Sequence, residues 1–91
     1  MWFEWDADKA AANVAKHGVA FPEAATVFGD PLATTVPDPE HSDAEERWLT
    51  TGESTARRVL IVWHTNRGDR IRIIGARQAT PNERRSYEQG E

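Results

Sequence analysis

The residues best suited to chemistry lie in one stretch, RIRIIGAR, at positions 70–77. Its three arginines, Arg70, Arg72 and Arg77, are set among isoleucines in an alternation that is typical of a β-strand. A guanidinium is planar and always charged, and it can donate two parallel hydrogen bonds to a phosphate. The stretch therefore indicates either a phosphate-binding strand or a surface strand whose arginines pair with Glu45, Glu46 or Glu83.

The face that each side chain takes depends on whether this strand is regular. Alternation with a period of two places Arg72 on one face with Ala76, and it places Ile73 on the other face with Arg77. A glycine inside a strand is typical of a β-bulge, and a bulge at Gly75 would return Arg77 to the face of Arg72. With such a bulge, we expect the strand arginines to converge on one phosphate.

The charge of the chain divides sharply between its two halves. Residues 1–46 contain ten acidic side chains and two lysines, a net charge of −8, whereas residues 47–91 contain nine arginines and five acidic side chains, a net charge of +4. The total of −4 disfavours binding of a DNA duplex by this chain alone, as does the lack of a helix-turn-helix pattern. The arginine-rich half can nevertheless bind phosphates.

Length and composition predict one small domain, residues 1–91, with a single hydrophobic core. The chain has no cysteine, and its three histidines lack the spacing of a zinc site, so we expect no metal and no cofactor. No apolar run approaches the roughly 20 residues that span a bilayer, and the N-terminus does not resemble a signal peptide. We therefore expect a soluble, cytoplasmic protein.

The N-terminal third predicts a short strand followed by two helices. WFEW reads as the strand, and Asp6 is a suitable N-cap for a helix over about 6–17, which Gly18 ends. In FPEAATVFGDP, Pro22 stands at the start of a second helix. LATTV then predicts a strand of β-branched character.

The middle of the chain is predicted to be an exposed acidic loop. PDPEHSDAEER contains two prolines, five acidic residues and no apolar residue larger than alanine. Ser42 and Glu45 have the spacing of a capping box, which would allow one helical turn inside the loop.

The second half predicts antiparallel hairpins and a final helix. RWLTTGES and RRVLIVWHT are strands, and NRGD, with Gly68, is the turn into RIRIIGAR. TPNERRSYEQ contains a full capping box, with Thr80 as N-cap, Pro81 at the first helical position and Glu83 after it. The order indicates an α+β fold, a small antiparallel β-sheet with two N-terminal helices and one C-terminal helix packed on one face.

Several ordered motifs give the chain a family resemblance. In order, they are W-D-x-x-K, K-H-G-V-x-F, H-S-x-x-E-E-R, I-R-I-I-x-A-R and the ending E-R-R-x-Y-E. Together they resemble the BrnT toxins of bacterial toxin–antitoxin operons, over nearly the whole chain from Phe3 to Glu88. The family typically has ISAR where this chain has IGAR, and the glycine removes a hydroxyl and loosens the strand.

The resemblance implies a RelE-like ribonuclease fold and a toxin that cleaves RNA and arrests growth. It also implies a BrnA antitoxin with a ribbon-helix-helix domain that binds the operon's promoter. The toxin–antitoxin complex would then repress its own transcription, and this chain would meet DNA only through that complex.

Cleavage of RNA without a metal ion requires removal of the 2′-hydroxyl proton, stabilisation of the phosphorane and protonation of the leaving 5′-oxygen. Arginine suits the second task, and Arg72 and Arg77 are the leading candidates. For proton transfer the sequence offers His17, Lys16, Glu46 and Tyr87. Three of them have an ordinary structural interpretation as well: His17 complements a helix dipole, Glu46 joins a local charge network, and Tyr87 packs the last helix on the sheet.

A further set of cationic side chains is predicted to contact RNA phosphates: Lys9, Lys16, Arg47, Arg70 and Arg84. Lys9 and Lys16 are seven residues apart and share one stripe of the first helix, which suits either RNA or an acidic partner.

Two classes of function stay open at this point. The first is a metal-independent endoribonuclease toxin with RNA as its substrate and a BrnA-type antitoxin as its partner. The second is a catalytically weak module that uses the arginine strand and exposed tryptophans to bind an antitoxin. The presence of the strand arginines favours the enzyme.

Overall fold

A computed structural model describes residues 1–38, 40 and 45–90 of the chain. Its elements are β1 Trp2–Glu4, α1 Ala7–His17, α2 Phe21–Thr26, a 3₁₀ turn Val27–Gly29, β2 Thr34–Pro37, β3 Trp48–Glu53, β4 Val59–Arg67, β5 Arg70–Gln78 and α3 Pro81–Gln89. The predicted α+β class is confirmed, with two helices before the hairpins and one after them. The capping box predicted at Ser42 lies outside the described residues.

The helix ends follow the predicted caps. The Asp6 side chain accepts a hydrogen bond from Lys9 N, and Gly18 ends α1 with a φ of 68°, a left-handed conformation that glycine adopts without strain. At α3, Thr80 and Glu83 form the full capping box. None of the described helices is long and apolar enough to cross a membrane.

The five strands form one mixed sheet in the order β1-β5-β4-β3-β2. The strands β2 to β5 pair antiparallel, but β1 runs parallel to β5. The prediction of a purely antiparallel sheet is therefore wrong at this edge. A strand that is not joined to its neighbour by a hairpin is free to pair in parallel, and three residues of WFEW carry no signal of their partner.

A β-bulge interrupts the pairing of β4 with β5. Trp63 pairs with Gly75, whereas the next residue, His64, pairs with Ile73. Ile74 is therefore the extra residue of β5. The bulge that the glycine predicted is confirmed, with the unpaired residue one position before Gly75.

The bulge decides which side chains of β5 share a face. Beyond it, Ala76 turns into the core, where it is fully buried, and Arg77 lies opposite Ile61 on the same face as Arg72. The expectation from strict alternation, with Ala76 beside the arginines, is therefore wrong, because the extra residue reverses the alternation. We call the face that bears Arg72, Arg77, Trp63 and Ile61 the arginine face.

The hydrophobic core lies between the opposite face of the sheet and the helices α1 and α2. It consists of Val19, Phe21, Ala24, Val27, Leu60, Val62, Ile73 and Ala76. The first four belong to α2 and its flanking segments, and the last four belong to β4 and β5.

The helix α1 also closes the open edge of β5. Because β1 pairs only with Arg70–Arg72, the rest of β5 has no neighbouring strand on that side among the described residues. The buried side chain of Asn13 takes the place of a neighbouring strand. Its Oδ1 accepts a hydrogen bond from Ala76 N at 3.1 Å, and its Nδ2 donates to Ala76 O at 2.9 Å and to Val19 O at 2.8 Å. A helical side chain thus satisfies the backbone groups that a missing strand would have satisfied.

The C-terminal helix does not share a face with the other two. Its side chains Glu83, Ser86 and Tyr87 line a hollow together with Ile61 and Trp63, which lie on the arginine face. The expectation that all three helices cover one face is therefore wrong. The capping box predicts where α3 begins but carries no information on the direction in which the chain leaves β5.

Candidate active site

Two hollows on the arginine face meet at the side chain of Trp63. The first, of about 280 Å³, lies between the sheet and α3, and we call it the α3 hollow; its lining includes Leu49, Ile61, Trp63, Arg77 and Tyr87. The second, of about 230 Å³, lies beside the end of α1, and we call it the α1 hollow; it is lined by Asn13, His17, Arg47, Trp63, Ile74 and Gly75. Their common wall makes Trp63 the centre of the face.

Arg77 is held from two sides. Its Nη1 and Nη2 donate to the two carboxylate oxygens of Glu83 at 2.7 and 3.0 Å, in the paired geometry that a phosphate would also accept. Its guanidinium carbon lies 5.5 Å from the centroid of the Trp63 ring, a cation–π distance. The hydrogen bonds from Arg77 lower the pKa of Glu83 to about 2, and the same contact raises the pKa of Arg77.

Arg72 and Arg70 share the carboxylate of Glu4 at the β1 edge. The distances from guanidinium nitrogen to carboxylate oxygen are 2.9 Å for Arg72 and 3.6 Å for Arg70. Neither arginine lines the α1 hollow or the α3 hollow.

The strand arginines therefore share a face without converging on one phosphate, contrary to expectation. Thr65 and Ile61, the partners of Arg72 and Arg77, are four residues apart on β4. At ~3.3 Å per residue, this spacing separates the two arginines by about 13 Å along the strand. Each guanidinium also has its own carboxylate, Glu4 for Arg72 and Glu83 for Arg77.

The α1 hollow unites two candidates that are far apart in the sequence. His17 is the last residue of α1, and Arg47 immediately precedes β3. Both side chains are half-buried and line this hollow with Trp63. An imidazole that can carry a proton and a guanidinium that can bind an oxyanion thus lie at one concave site.

Tyr87 holds α3 against the body of the protein. Its hydroxyl donates to the Asp30 carboxylate, which also accepts from Glu53 N at 2.8 Å and from Leu32 N at 2.9 Å. The hydrogen bond to this carboxylate raises the pKa of Tyr87 to about 12, so the phenol keeps its proton near pH 7.

Glu46 lies apart from both hollows at the Trp63 side chain. It is exposed, and it lines another hollow, of about 270 Å³, with Glu45, Trp48, Thr65 and Asn66. Its backbone carbonyl accepts from Thr65 Oγ1 at 2.8 Å. The structure thus does not bring Glu46 together with His17 or Arg77.

The remaining cationic candidates are peripheral. Lys9 and Lys16 are exposed on α1, and Arg84 is exposed on α3; none of them lines either hollow at Trp63. Among the described residues, no group of three histidine or acidic side chains is placed to hold a metal ion.

Sequence reasoning missed Trp63, the partner carboxylate Glu4 and the edge-capping Asn13. It did name Glu83 as one possible partner of the strand arginines, and the structure pairs Glu83 with Arg77. The alternation of RRVLIVWHT does separate Trp63 from Leu60 and Val62, but only the register of the sheet shows that the tryptophan faces the arginines. Glu4 and Arg72 are 68 residues apart in the sequence, so no local pattern joins them.

Comparison with known proteins identifies the family of this chain. The family model described as the ribonuclease toxin BrnT of type II toxin–antitoxin systems matches residues 5–83. The crystal structure of the Brucella abortus ribonuclease toxin BrnT superposes with a TM-score of 0.70 at 25% identity, covering 88% of this chain and 97% of that one. No curated protein sequence matches the chain. The family model spans most of the chain, and the chain therefore belongs to the BrnT family of ribonuclease toxins of type II toxin–antitoxin systems.

Proposed function

We propose that this toxin is a metal-independent endoribonuclease that binds the scissile phosphodiester beside Trp63 on the arginine face. The observation that carries the proposal is the α1 hollow, where His17 and Arg47 line one concavity that shares Trp63 with the hollow of Arg77. This arrangement supplies fixed positive charge for the phosphorane and a titratable group for proton transfer, the functions that metal-free cleavage requires.

The residues divide into three roles in this proposal. Arg77 and Arg47 stabilise the phosphorane, and His17 transfers a proton at the 2′-hydroxyl or the 5′-oxygen. Tyr87 positions α3 rather than moving a proton, because its hydroxyl donates to Asp30. Glu46 remains a candidate only if RNA or the antitoxin changes its surroundings.

Substrate binding at Arg77 involves an exchange of partners. A phosphate has the geometry to replace the Glu83 carboxylate on the two guanidinium nitrogens, so the ion pair holds Arg77 ready in the orientation that it needs. Arg70 and Arg72 lie further along the same strand and would contact a phosphate upstream or downstream of the cleavage site. The peripheral Lys9, Lys16 and Arg84 would add weaker contacts.

Membership of a type II family indicates a protein antitoxin. We propose a BrnA-type antitoxin whose ribbon-helix-helix domain binds DNA, so that the complex represses its own promoter and this chain meets DNA only through it. Neutralisation would then take place in the bacterial cytoplasm, where the RNA substrate is found.

Induced expression with and without the adjacent antitoxin gene, followed by mapping of RNA 5′ ends, tests the proposal. We expect growth arrest and new RNA ends from the toxin alone, and rescue by the antitoxin. Purified toxin should also cleave RNA equally well in EDTA and in magnesium buffer. Abolition of cleavage by EDTA, with recovery on addition of a divalent ion, would contradict metal independence.

A catalytically weak antitoxin-binding module is the second candidate, and the ion pairs of Arg72 and Arg77 favour it, since both guanidiniums already have partners. Tight antitoxin binding without new RNA ends in any condition would support this alternative. New RNA ends that depend on the arginines would exclude it.

The substitution Arg77→Ala tests the site within the proposed function. We expect cleavage to fall by about 100-fold or more, because one preorganised charge donor to the transition state is lost. The matched control is Arg85→Ala, which removes the same charge from an exposed position of α3 and should leave the rate unchanged. A folded, fully active Arg77→Ala protein would show that the phosphate binds elsewhere.

A further inference from the structure

The indole of Trp63 has no role in the proposed proton transfer or in the stabilisation of the phosphorane, yet it occupies the centre of the arginine face. The side chain is half-buried and borders both hollows, and no other described residue lines both. It lies on the face opposite the core cluster, so filling the core does not explain it. Its ring already accepts one planar group, the guanidinium of Arg77 at 5.5 Å.

The space beside the indole depends on a small residue at position 75. Gly75 pairs with Trp63 across the β4–β5 hairpin. A Cβ at Gly75 would lie 3.5 Å from Trp63 Cε3 and 3.6 Å from Asn13 Oδ1, which is ordinary contact distance. A methyl group therefore fits, whereas a longer or branched side chain would occupy the α1 hollow over the indole.

The size and lining of the α1 hollow suit one flat ring system with polar edges. Its volume of about 230 Å³ is below the roughly 300–1,000 Å³ of pockets for drug-sized ligands, so it cannot enclose several nucleotides. The Trp63 ring supplies a stacking surface, and the edges of His17 and Arg47 carry hydrogen-bonding nitrogens. Aromatic stacking with polar edge contacts is how proteins hold unpaired bases of RNA.

We infer that the α1 hollow takes one unpaired nucleobase of the RNA, stacked on Trp63, and thereby sets the register of the strand on the arginine face. This inference rests on the proposed ribonuclease function and adds the position of a base to it. Trp63 is a positioning and specificity-determining residue in this arrangement. The phosphate that adjoins this base is then the one that Arg77 and Arg47 stabilise in the proposed function.

The experiment uses single-stranded oligonucleotides that cannot be cleaved because each 2′-hydroxyl is replaced by hydrogen. One oligonucleotide is intact, and each of the others lacks one base while its backbone is unchanged. Fluorescence anisotropy measures the affinity of each for the wild-type toxin and for Trp63→Leu. At one position we expect loss of the base to weaken wild-type binding by about 10-fold and to leave Trp63→Leu binding nearly unchanged.

Residue 75 provides matched controls that keep the indole and every charge. Gly75→Val should fill the α1 hollow and reproduce the roughly 10-fold loss, whereas Gly75→Ala should retain wild-type affinity. Circular dichroism establishes that each variant is folded. If Trp63→Leu does not fold, the pair at position 75 carries the test with the same oligonucleotides.

The outcomes separate this inference from the proposed function. Suppose that removal of each base weakens the binding of Trp63→Leu by the same factor as it weakens the binding of the wild type, while the wild-type toxin cleaves RNA. Base stacking on Trp63 is then overturned, and the ribonuclease proposal stands. If the wild-type toxin neither binds nor cleaves any single-stranded RNA, both are overturned. The inference is supported if the affinity of Trp63→Leu is insensitive to loss of the base at one position only, and if loss of that base weakens wild-type binding.

Discussion

Arg77 combines two contacts that have different consequences for RNA binding. The cation–π contact with Trp63 fixes the plane of the guanidinium without using its hydrogen-bond donors. The Glu83 carboxylate, in contrast, occupies two of those donors and competes with a phosphate for them. At the scale of single residues, we therefore expect Glu83 to lower the affinity of Arg77 for an RNA phosphate.

Replacement of that carboxylate tests the competition. We expect Glu83→Gln to raise the affinity for a non-cleavable RNA by about 2- to 5-fold, since a partly exposed ion pair stabilises by at most ~1 kcal/mol. Glutamine preserves the capping box, so α3 should keep its N-terminus. Glu88→Gln, an exposed residue on the same helix, is the charge-matched control and should bind like the wild type. Equal affinities for the two variants would contradict the competition.

His64 is a buried residue whose protonation has a measurable consequence. It is buried, its Nε2 lies 2.7 Å from Thr50 Oγ1, and its Nδ1 has no hydrogen-bond partner among the described residues. Burial lowers the pKa of His64 to about 4. The unfolded chain, with a pKa near 6.5, binds the proton first, so protonation below that pH favours unfolding.

The sign of the effect gives a prediction for acid stability. Between pH 7 and pH 5 the free energy of unfolding should fall by about 2 kcal/mol, as the unfolded state becomes protonated and the folded state does not. Urea unfolding at the two pH values measures this change. The control is His64→Phe, which keeps a ring against Phe28 and should remove the dependence in this window. The same pH slope in the variant would show that other groups cause it.

At the scale of secondary structure, the critical feature is the open edge of β5. An unpaired edge invites association with another strand, and α1 prevents this with a single side chain. The same contact carries His17 to the rim of the α1 hollow, four residues after Asn13 and so about one turn along the helix. Stability and site geometry thus depend on one helix–strand contact.

Loss of that contact should be costly. We expect Asn13→Leu to lower the free energy of unfolding by about 2–4 kcal/mol, because buried backbone groups of Ala76 and Val19 lose their partners. The comparison is Asn82→Leu, the same substitution at an exposed position of α3, which should change stability by less than about 0.5 kcal/mol. Chemical denaturation measures both variants, and similar effects of the two would contradict the edge-capping role.

At the scale of the whole molecule, acidic and basic groups that are separated in the sequence are paired in the structure. Carboxylates from the acidic first half and from α3 neutralise arginines on the sheet, as the pairs Glu4–Arg72 and Glu83–Arg77 show. RNA binding should therefore depend on local cation–phosphate contacts in a protein whose net charge of −4 repels nucleic acid.

Salt dependence measures how many such contacts form. With about three phosphates neutralised, the logarithm of the RNA affinity should fall with the logarithm of salt concentration with a slope near −2. Arg77→Ala should reduce the size of this slope by about 0.7, whereas Arg85→Ala should not. Anisotropy titrations between low and high salt give the slopes. A flat dependence would show that the net charge dominates over the arginines.

The sequence by itself determined the local elements. Asp6, Gly18 and the Thr80–Glu83 capping box act within a few residues, and the structure places the helix ends where they predict. Gly75 predicted the bulge for the same reason, since a local break in the alternation has a local cause. The family motifs likewise identified the type of toxin, which the family comparison confirms.

Only the tertiary structure decided which side chains meet. The parallel pairing of β1, the position of α3 on the arginine face, and the union of His17, Arg47 and Trp63 at one hollow all involve residues that are distant in the chain. The ion pairs of Arg72 and Arg77 arise in the same way, and the four-residue spacing of their partners on β4 keeps the two guanidiniums apart. Such contacts depend on strand register and on the path between elements, and a one-residue bulge is enough to reverse a face.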